Sequence, residues 1–302
     1  MPNPADRPRF RRLRQAYTGS ATLPSRRMPR LAGIPIVGLS IGGLETCIDL
    51  PEYRLAFDIG RCPPEAVARP TILFTHAHMD HMGGVAYHAA TRELFGMAPP
   101  TYVVPHENVE AFGELIAAWR KLDRSDLPHR VVALGPGEEF ELPNRMLARP
   151  FRSPHRVPCQ GYALYSRRRK LKPQYRELAP DAIRDLRARI GDALTDPVET
   201  AEVAFTGDTL IEVVEREEVV RKARVLVIEV TFVDDRVSVA ECRSKGHVHL
   251  YEIAERAAAF ENEALLFTHF SARYRDEEIV AALDRTLPPG LRERVTPLLN
   301  GR

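Results

Sequence analysis

Long apolar runs are missing from this 302-residue chain. No stretch of 18 apolar residues occurs, which excludes an ordinary membrane-spanning helix. The first residues carry no apolar segment of the kind a secretory signal needs. Cysteine is scarce: Cys47, Cys62, Cys159 and Cys242 lie far apart and form no Cys-x-x-Cys pair. That excludes a disulfide framework and points to reduced thiols in a cytoplasmic protein. Tryptophan occurs once, as Trp119 on an apolar helical face, where a core position is expected. A strong net charge is absent too, since the formal balance is only +2. The whole molecule is therefore not a polycation, and no internal repeat or clear domain boundary divides it.

The basic residues that are present are unevenly placed. Residues 1–30 hold eight arginines, Arg7, Arg9, Arg11, Arg12, Arg14, Arg26, Arg27 and Arg30, against one acid, Asp6. This reads as a basic, flexible N-terminal arm, although an Arg-rich, nearly acid-free start is also what a transit peptide looks like. Residues 167–190 hold nine basic side chains against three acids. Clusters of this kind can bind polyanions or can be solvated faces. The expected organisation is one domain over 31–302, with a basic, proline-containing insertion at about 167–200.

From residue 30 onward, short apolar strands alternate with helical stretches, the pattern of an α/β chain. Strands are expected at 34–41, 46–50, 54–59, 71–75, 101–105, 161–166, 202–205, 225–230 and 264–267. Residues 131–134, 139–142 and 146–152 read as an antiparallel meander. Helices are expected at 85–95, 108–121, 250–260 and, as the terminal element, 277–283, with one short helix near 181–190 inside the insertion.

One cluster stands out. Residues 76–81 read His76-Ala77-His78-Met79-Asp80-His81, directly after the β-type run Thr71–Thr75 and before Gly83-Gly84. A strand ending in a loop can aim several imidazoles and a carboxylate at one point, whereas a continuous helix cannot bring these four positions onto one face. Neutral imidazole nitrogen and carboxylate oxygen suit Zn²⁺, Mn²⁺ or Fe²⁺. The same event recurs, because other strands end by delivering His155, Asp208 and His269. Together His76, His78, Asp80, His81, His155, Asp208 and His269 make seven candidate ligands, about the number two metal ions need when a carboxylate bridges them. Such pairs activate water and polarise a scissile group, so the chemistry points to metal-assisted hydrolysis.

The ordered set resembles the metallo-β-lactamase superfamily, and its second half resembles ribonuclease Z, the tRNA 3′-end endonuclease. The matching stretches are His155-x-Val157-Pro158-x-x-Gly161-Tyr162, Phe205–Thr209, Glu229–Phe232, Gly246-His247 and Thr268-His269-Phe270-Ser271-Ala272-Arg273-Tyr274. The chain departs from that pattern where Asp58-Ile59-Gly60 is followed by Arg61-Cys62-Pro63-Pro64, and where Ile228 and Val248 replace family residues. The resemblance implies a single-domain, four-layer αββα sandwich with the site at one edge between two sheets. It implies that His76, His78 and His155 bind one metal ion, that Asp80, His81 and His269 bind a second, and that Asp208 bridges them, with two Zn²⁺ as the expected pair. It further implies that Asp80 orients the attacking water, that His247 is the general acid for the leaving oxygen, that Glu229 orients His247, and that the protein is a homodimer.

His249, two residues beyond His247, is the rival for the acid role, and a third reading puts both at a helix N-terminus. Glu229, an acid ending an apolar strand, is expected to be paired. His88, His106 and His129 have no motif support and read as surface or helix-end residues. Arg167, Arg168, Arg169, Lys170 and Lys172 follow the strand after His155 and are expected near the site mouth, holding phosphates. Tyr165 and Tyr175 flank them and could stack on bases or simply pack. The leading expectation is a phosphodiesterase of ribonuclease Z type acting on tRNA precursors. A small-molecule phosphodiesterase, for example on cyclic nucleotides, and a non-catalytic nucleic-acid-binding protein remain as alternatives.

Overall fold

The computed structural model describes residues 30–299; apart from Arg30, the basic arm expected over 1–30 lies outside the described residues. A short ribbon, β1 (Arg30–Leu31) and β2 (Ile34–Pro35), leads into a six-stranded sheet. Its strands, in spatial order, are β3 (Val37–Ile41), β4 (Glu45–Leu50), β5 (Leu55–Phe57), β6 (Thr71–Leu73), β7 (Thr101–Pro105) and β8 (Arg130–Leu134). A seven-stranded sheet follows, with neighbours again in chain order: β9 (Phe140–Leu142), β10 (Met146–Arg152), β11 (Gln160–Leu171), β12 (Thr195–Phe205), β13 (Val225–Glu229), β14 (Ala264–Thr268) and β15 (Val295–Pro297). Each sheet begins antiparallel and ends parallel, the change coming at β5 in one and at β12 in the other. The two halves thus share a plan that no sequence repeat announces.

The helices are α1 (Met79–Met82), α2 (Val85–Leu94), α3 (Val109–Asp123), α4 (Pro180–Ile190), α5 (Val213–Arg216), α6 (Glu218–Lys222), α7 (Val239–Ser244), α8 (Leu250–Glu255), α9 (Asp276–Thr286) and α10 (Pro289–Arg292). The layering follows from strands that are apolar on both faces. Successive strand residues point to opposite sides. Leu55, Phe57, Leu73, Val103, Val225 and Val227 therefore meet between the sheets, with the Phe57 and Phe205 rings 4.9 Å apart. Ala56, Ile72, Tyr102 and Val104 face outward against Val85 and Ala89 of α2 and Phe112 and Ile116 of α3. On the far side, Leu226, Ile228, Leu265 and Phe267 pack against α5 to α10. Three apolar clusters separating four layers make the αββα sandwich, as parallel strands covered on both faces require.

Several expectations change. The meander over 131–152 forms only in its second half: β9 and β10 pair antiparallel, while β8 pairs in parallel with β7 in the other sheet. Period-2 alternation marks strands but does not say which sheet they join. The strand after His155 runs on to Leu171, and its partner begins at Thr195, so the basic stretch is largely a continuous hairpin paired from Tyr162–Phe205 out to Leu171–Thr195. Helix α4, at its tip, buries none of its residues. The chain also does not close on a helix at 277–283, because α10 and β15 follow α9.

Trp119 is not in the core but 45% exposed. Helix α3 buries Phe112 and Ile116, and from residue 117 to its end every residue is exposed, so the apolar face continues past the cluster that covers its first half. His88, read as a surface group, is buried between Tyr102 Oη at 2.8 Å and the Ala66 carbonyl at 3.1 Å. Burial and then the Arg92 charge lower its pKa to about 3, leaving a neutral, structural imidazole. His129 is half-buried with its ring against Tyr102 and Phe112, whereas His106 is exposed beside Glu138. Tyr165 packs on the outer core with the Arg149 guanidinium 4.7 Å above its ring, which occupies the face a base would need.

Gly161 sits in β11 where a Cβ would come within 2.3 Å of the Phe151 ring and 2.7 Å of the Phe205 carbonyl. Gly161→Ala should destabilise the fold by about 1–3 kcal/mol through overpacking, read as a lower thermal unfolding midpoint. An unchanged midpoint would show that β10 and β12 yield freely there.

Candidate metal centre

Six strand ends meet along one edge between the sheets. From the six-stranded sheet, β5 leads into Asp58, and β6 leads into His76, His78 and the short helix α1 that carries Asp80 and His81. From the seven-stranded sheet, β10 leads to His155, β12 to Asp208, β13 ends at Glu229 and β14 leads to His269. Strand C-termini are where α/β scaffolds assemble chemistry. Backbone turns sharpen the aim. Asp58 and His269 both adopt positive φ, 54° and 60°, a conformation that non-glycine residues enter when surrounding contacts fix them. Gly60 is needed for another reason: a Cβ there would lie 2.1 Å from the Asp80 carbonyl.

The structure brings all seven candidate ligands together. One atom each from His76, His78, His155 and Asp208 lie within 4.8 Å of one another, as do one each from Asp80, His81 and His269. Asp208 faces both sets with different oxygens. Its Oδ2 is 3.8 Å from His76 Nε2, while its Oδ1 is 3.3 Å from His81 Nε2 and 3.4 Å from His269 Nε2. Asp80 Oδ2 completes the second set at 3.7 Å from His81 Nε2 and 3.4 Å from His269 Nε2. A tetrahedral ion with bonds of about 2.0–2.2 Å holds its ligand atoms about 3.3–3.6 Å apart, which is close to the spacing of this set. In the first set, His76 Nε2 and His78 Nδ1 are 2.9 Å apart.

The ring nitrogens turned away from the centre are engaged. His81 Nδ1 meets Asp58 at 2.8 Å, His155 Nδ1 the Gly246 carbonyl at 2.7 Å, His269 Nδ1 the Thr231 hydroxyl at 2.9 Å, and His76 Nδ1 the Thr75 hydroxyl at 3.0 Å. Such partners fix which nitrogen faces a metal. The inward Nε2 atoms of His81 and His155 are buried with no hydrogen-bond partner. An unsatisfied buried polar atom costs roughly 1–3 kcal/mol, and one such nitrogen in each ligand set fits a cation bound there.

The electrostatics agree. Burial, then neighbouring imidazoles, push His76 and His78 below the ordinary range, and burial does the same to His155, which favours the neutral, ligating form. Burial would raise Asp208, but the His269 and His81 charges outweigh it and hold the carboxylate ionised. Burial likewise works against charge on His81, yet Asp208 and Asp58 raise it well above the usual value. Buried carboxylates that demand positive charge from their surroundings mark a cation site.

His247 and His249 separate cleanly. His247 Nδ1 is 2.9 Å from Glu229 Oε1, and its ring lies 5.2 Å from that of His269 and 5.4 Å from that of His155. Burial opposes its charge, but Glu229 and then Asp208 raise its pKa to about 9. His249 instead caps α8, accepting from the Tyr251 amide at 3.2 Å, with its Nε2 near the Asp234 and Val237 carbonyls. Glu229 is buried and fully engaged, taking the Thr209 and Val248 amides and the Thr231 hydroxyl besides His247.

The basic stretch is not at the site mouth. Arg167 lies seven residues along β11 from Gln160, about 23 Å of strand at about 3.3 Å per residue, on the arm that leads away from the centre. Arg167 is held by Glu199 at 2.7 Å and Glu139 at 3.2 Å, and Arg169 by Thr195. The role of Asp58 was not read from the sequence, although its place after β5, just before a glycine, was the available signal.

Asp58 approaches the cluster only through His81 and Thr75. Asp58→Ala should therefore lower metal affinity by about 10–100-fold while the fold persists. Equal metal retention in variant and wild type, measured by elemental analysis after dialysis, would remove Asp58 from the site.

No protein-family model matches the chain. It is 46% identical over 274 residues to tRNase Z TRZ1 of Arabidopsis thaliana, spanning 90% of this chain and 97% of that protein. It is 36% identical over 289 residues to the chloroplastic tRNase Z TRZ2 of the same plant, spanning 95% of this chain and 81% of that protein. Among solved structures, the metallo-β-lactamase fold protein YhfI from Bacillus subtilis matches with a TM-score of 0.58 at 14% identity, covering 88% of this chain and 96% of its own. That likeness shows the fold.

Proposed function

The chain belongs to the tRNase Z family of metal-dependent hydrolases, and on that footing we propose that it cleaves tRNA precursors at their 3′ ends with a dinuclear centre. The observation that carries this reading is the likeness to a plant tRNase Z over almost that protein's whole length. The complete set of converging donors supports the chemistry. The departures at residues 61–64 and at Ile228 and Val248 leave every one of those donors in place.

In this reading His76, His78 and His155 would hold one ion, Asp80, His81 and His269 would hold the other, and Asp208 would serve both. Two ions, zinc for preference and manganese or iron by the same donor chemistry, would supply an activated water and stabilise charge on the phosphate's nonbridging oxygens. Asp80, whose Oδ2 also accepts from the Gly43 amide at 2.9 Å, orients the attacking water and can take its proton. His247 reaches the cavity above the centre, which Gly43, Asp80, Arg156, Lys245 and His269 also line, and donates a proton to the leaving oxygen. Glu229 fixes the direction of that imidazole. Arg167, Arg168, Arg169, Lys170 and Lys172, carried outward on the hairpin, would reach a distant part of a large RNA rather than the scissile bond.

The protein is further read as a homodimer. Leu115, Trp119 and Leu122 form an exposed apolar stripe on α3 at helical spacing, which a second copy would cover. The four cysteines are free, which favours a reducing, cytoplasmic setting, and no helix among the described residues is long and apolar enough to cross a membrane.

Purified protein should cleave a tRNA precursor at its 3′ end as well as bis(p-nitrophenyl) phosphate; cleavage of the small ester alone would remove tRNA from the reading. His247→Ala should lower turnover by about 10²–10⁴-fold with metal content unchanged. Loss of metal in that variant would make His247 a ligand instead. For the dimer, Trp119→Glu should shift sedimentation toward the monomer, and a wild type that already sediments as a monomer would end that part of the reading.

A further inference from the structure

Beside the metal centre lies a second cavity of about 450 Å³, within the ~300–1,000 Å³ range of ligand pockets. Its floor is the 153–160 segment that presents His155, and three arginines line it: Arg152 at the end of β10, Arg156 next to His155, and Arg216 closing α5. Glu107 is an acid on its wall. The cavity adjoins the one over the metal centre, and Arg156 and Val157 line both.

What distinguishes these arginines is that they are uncommitted and line one cavity beside the metal centre. Other guanidinium groups among the described residues are bonded to carboxylates, as in the Arg149–Glu139–Glu199–Arg167 network on the hairpin. Among the described residues, the side chains of Arg152, Arg156 and Arg216 have no hydrogen bond or ion pair. The nearest claim on one of them is Glu212, which feels the Arg216 charge but is bonded to Arg243. All three arginines are exposed to solvent. Free, fork-shaped cations spaced along a concave track are what successive phosphates of a nucleic-acid strand bind, and such contacts position a strand without reading its sequence.

We propose that this cavity is a phosphate-binding limb of the active site, in which Arg152, Arg156 and Arg216 hold the single-stranded RNA flanking the scissile phosphate on the His155 side. The proposal rests on the reading of the enzyme as an RNA phosphodiesterase. It adds a determinant that works within a few nucleotides of the cut and is separate from the distant hairpin.

The test compares wild type with the Arg152→Gln/Arg216→Gln double variant on tRNA precursors whose single-stranded flank is lengthened one nucleotide at a time. For the wild type, KM should fall as the flank grows into the cavity and then level off. For the variant, KM on the long-flank substrate should rise about tenfold, and the dependence on flank length should flatten. The slope of log affinity against log salt should shrink by about 1.4, or about 0.7 for each single-strand phosphate that the variant no longer neutralises. Metal content of the variant checks that the centre is intact. The same flank-length dependence and salt slope in both proteins would overturn the proposal while leaving the RNase reading in place. A wild type that cleaves no RNA at any flank length would overturn both.

Discussion

The structure turns on one buried carboxylate. Asp208 is nearly inaccessible to water, and its two oxygens face two different groups of imidazoles. A charge buried this deeply is tolerated only when it is paired. Its pairing draws on His76 and His81 from one sheet and His269 from the other. The centre is therefore also a clasp between the halves of the sandwich, and anything that separates the sheets at this edge disperses the ligands.

The surrounding architecture serves that clasp. Two sheets that both pass from antiparallel to parallel pairing bring the ends of their parallel strands to the same edge. Asp58, Thr75, Thr231 and the Gly246 carbonyl then hold the outer nitrogens of His81, His76, His269 and His155, so that the other nitrogen of each of these rings faces the centre. Glu229 does the same for His247. The candidate metal ligands stand at strand ends, and the basic groups stand on loops and on the hairpin beyond them.

Much of this was legible in the sequence because its signals are local. A six-residue cluster following an apolar run identifies itself, and strands apolar at every position announce a sheet covered on both sides. What could not be read depended on partners distant in the chain. The alternation in β8 and in β9 looks the same whether they share a sheet or not, and only the fold separates them. Trp119 keeps the period of a buried face on a helix that has run past its cover. His88 carries no motif because its partners, Tyr102 and Ala66, are far off in sequence. The run Arg167–Lys172 draws the eye through density of charge, yet Arg167 is spent on ion pairs, while the uncommitted Arg152, Arg156 and Arg216 are scattered along the chain and converge only in three dimensions.

The central claim is that two cations share Asp208. Crystals of the zinc-loaded protein, measured at the zinc absorption edge, test it directly. The account predicts two anomalous peaks roughly 3.5–4 Å apart, one among His76, His78 and His155 and one among Asp80, His81 and His269, with an Asp208 oxygen on each. A single peak, or peaks away from Asp208, would contradict it.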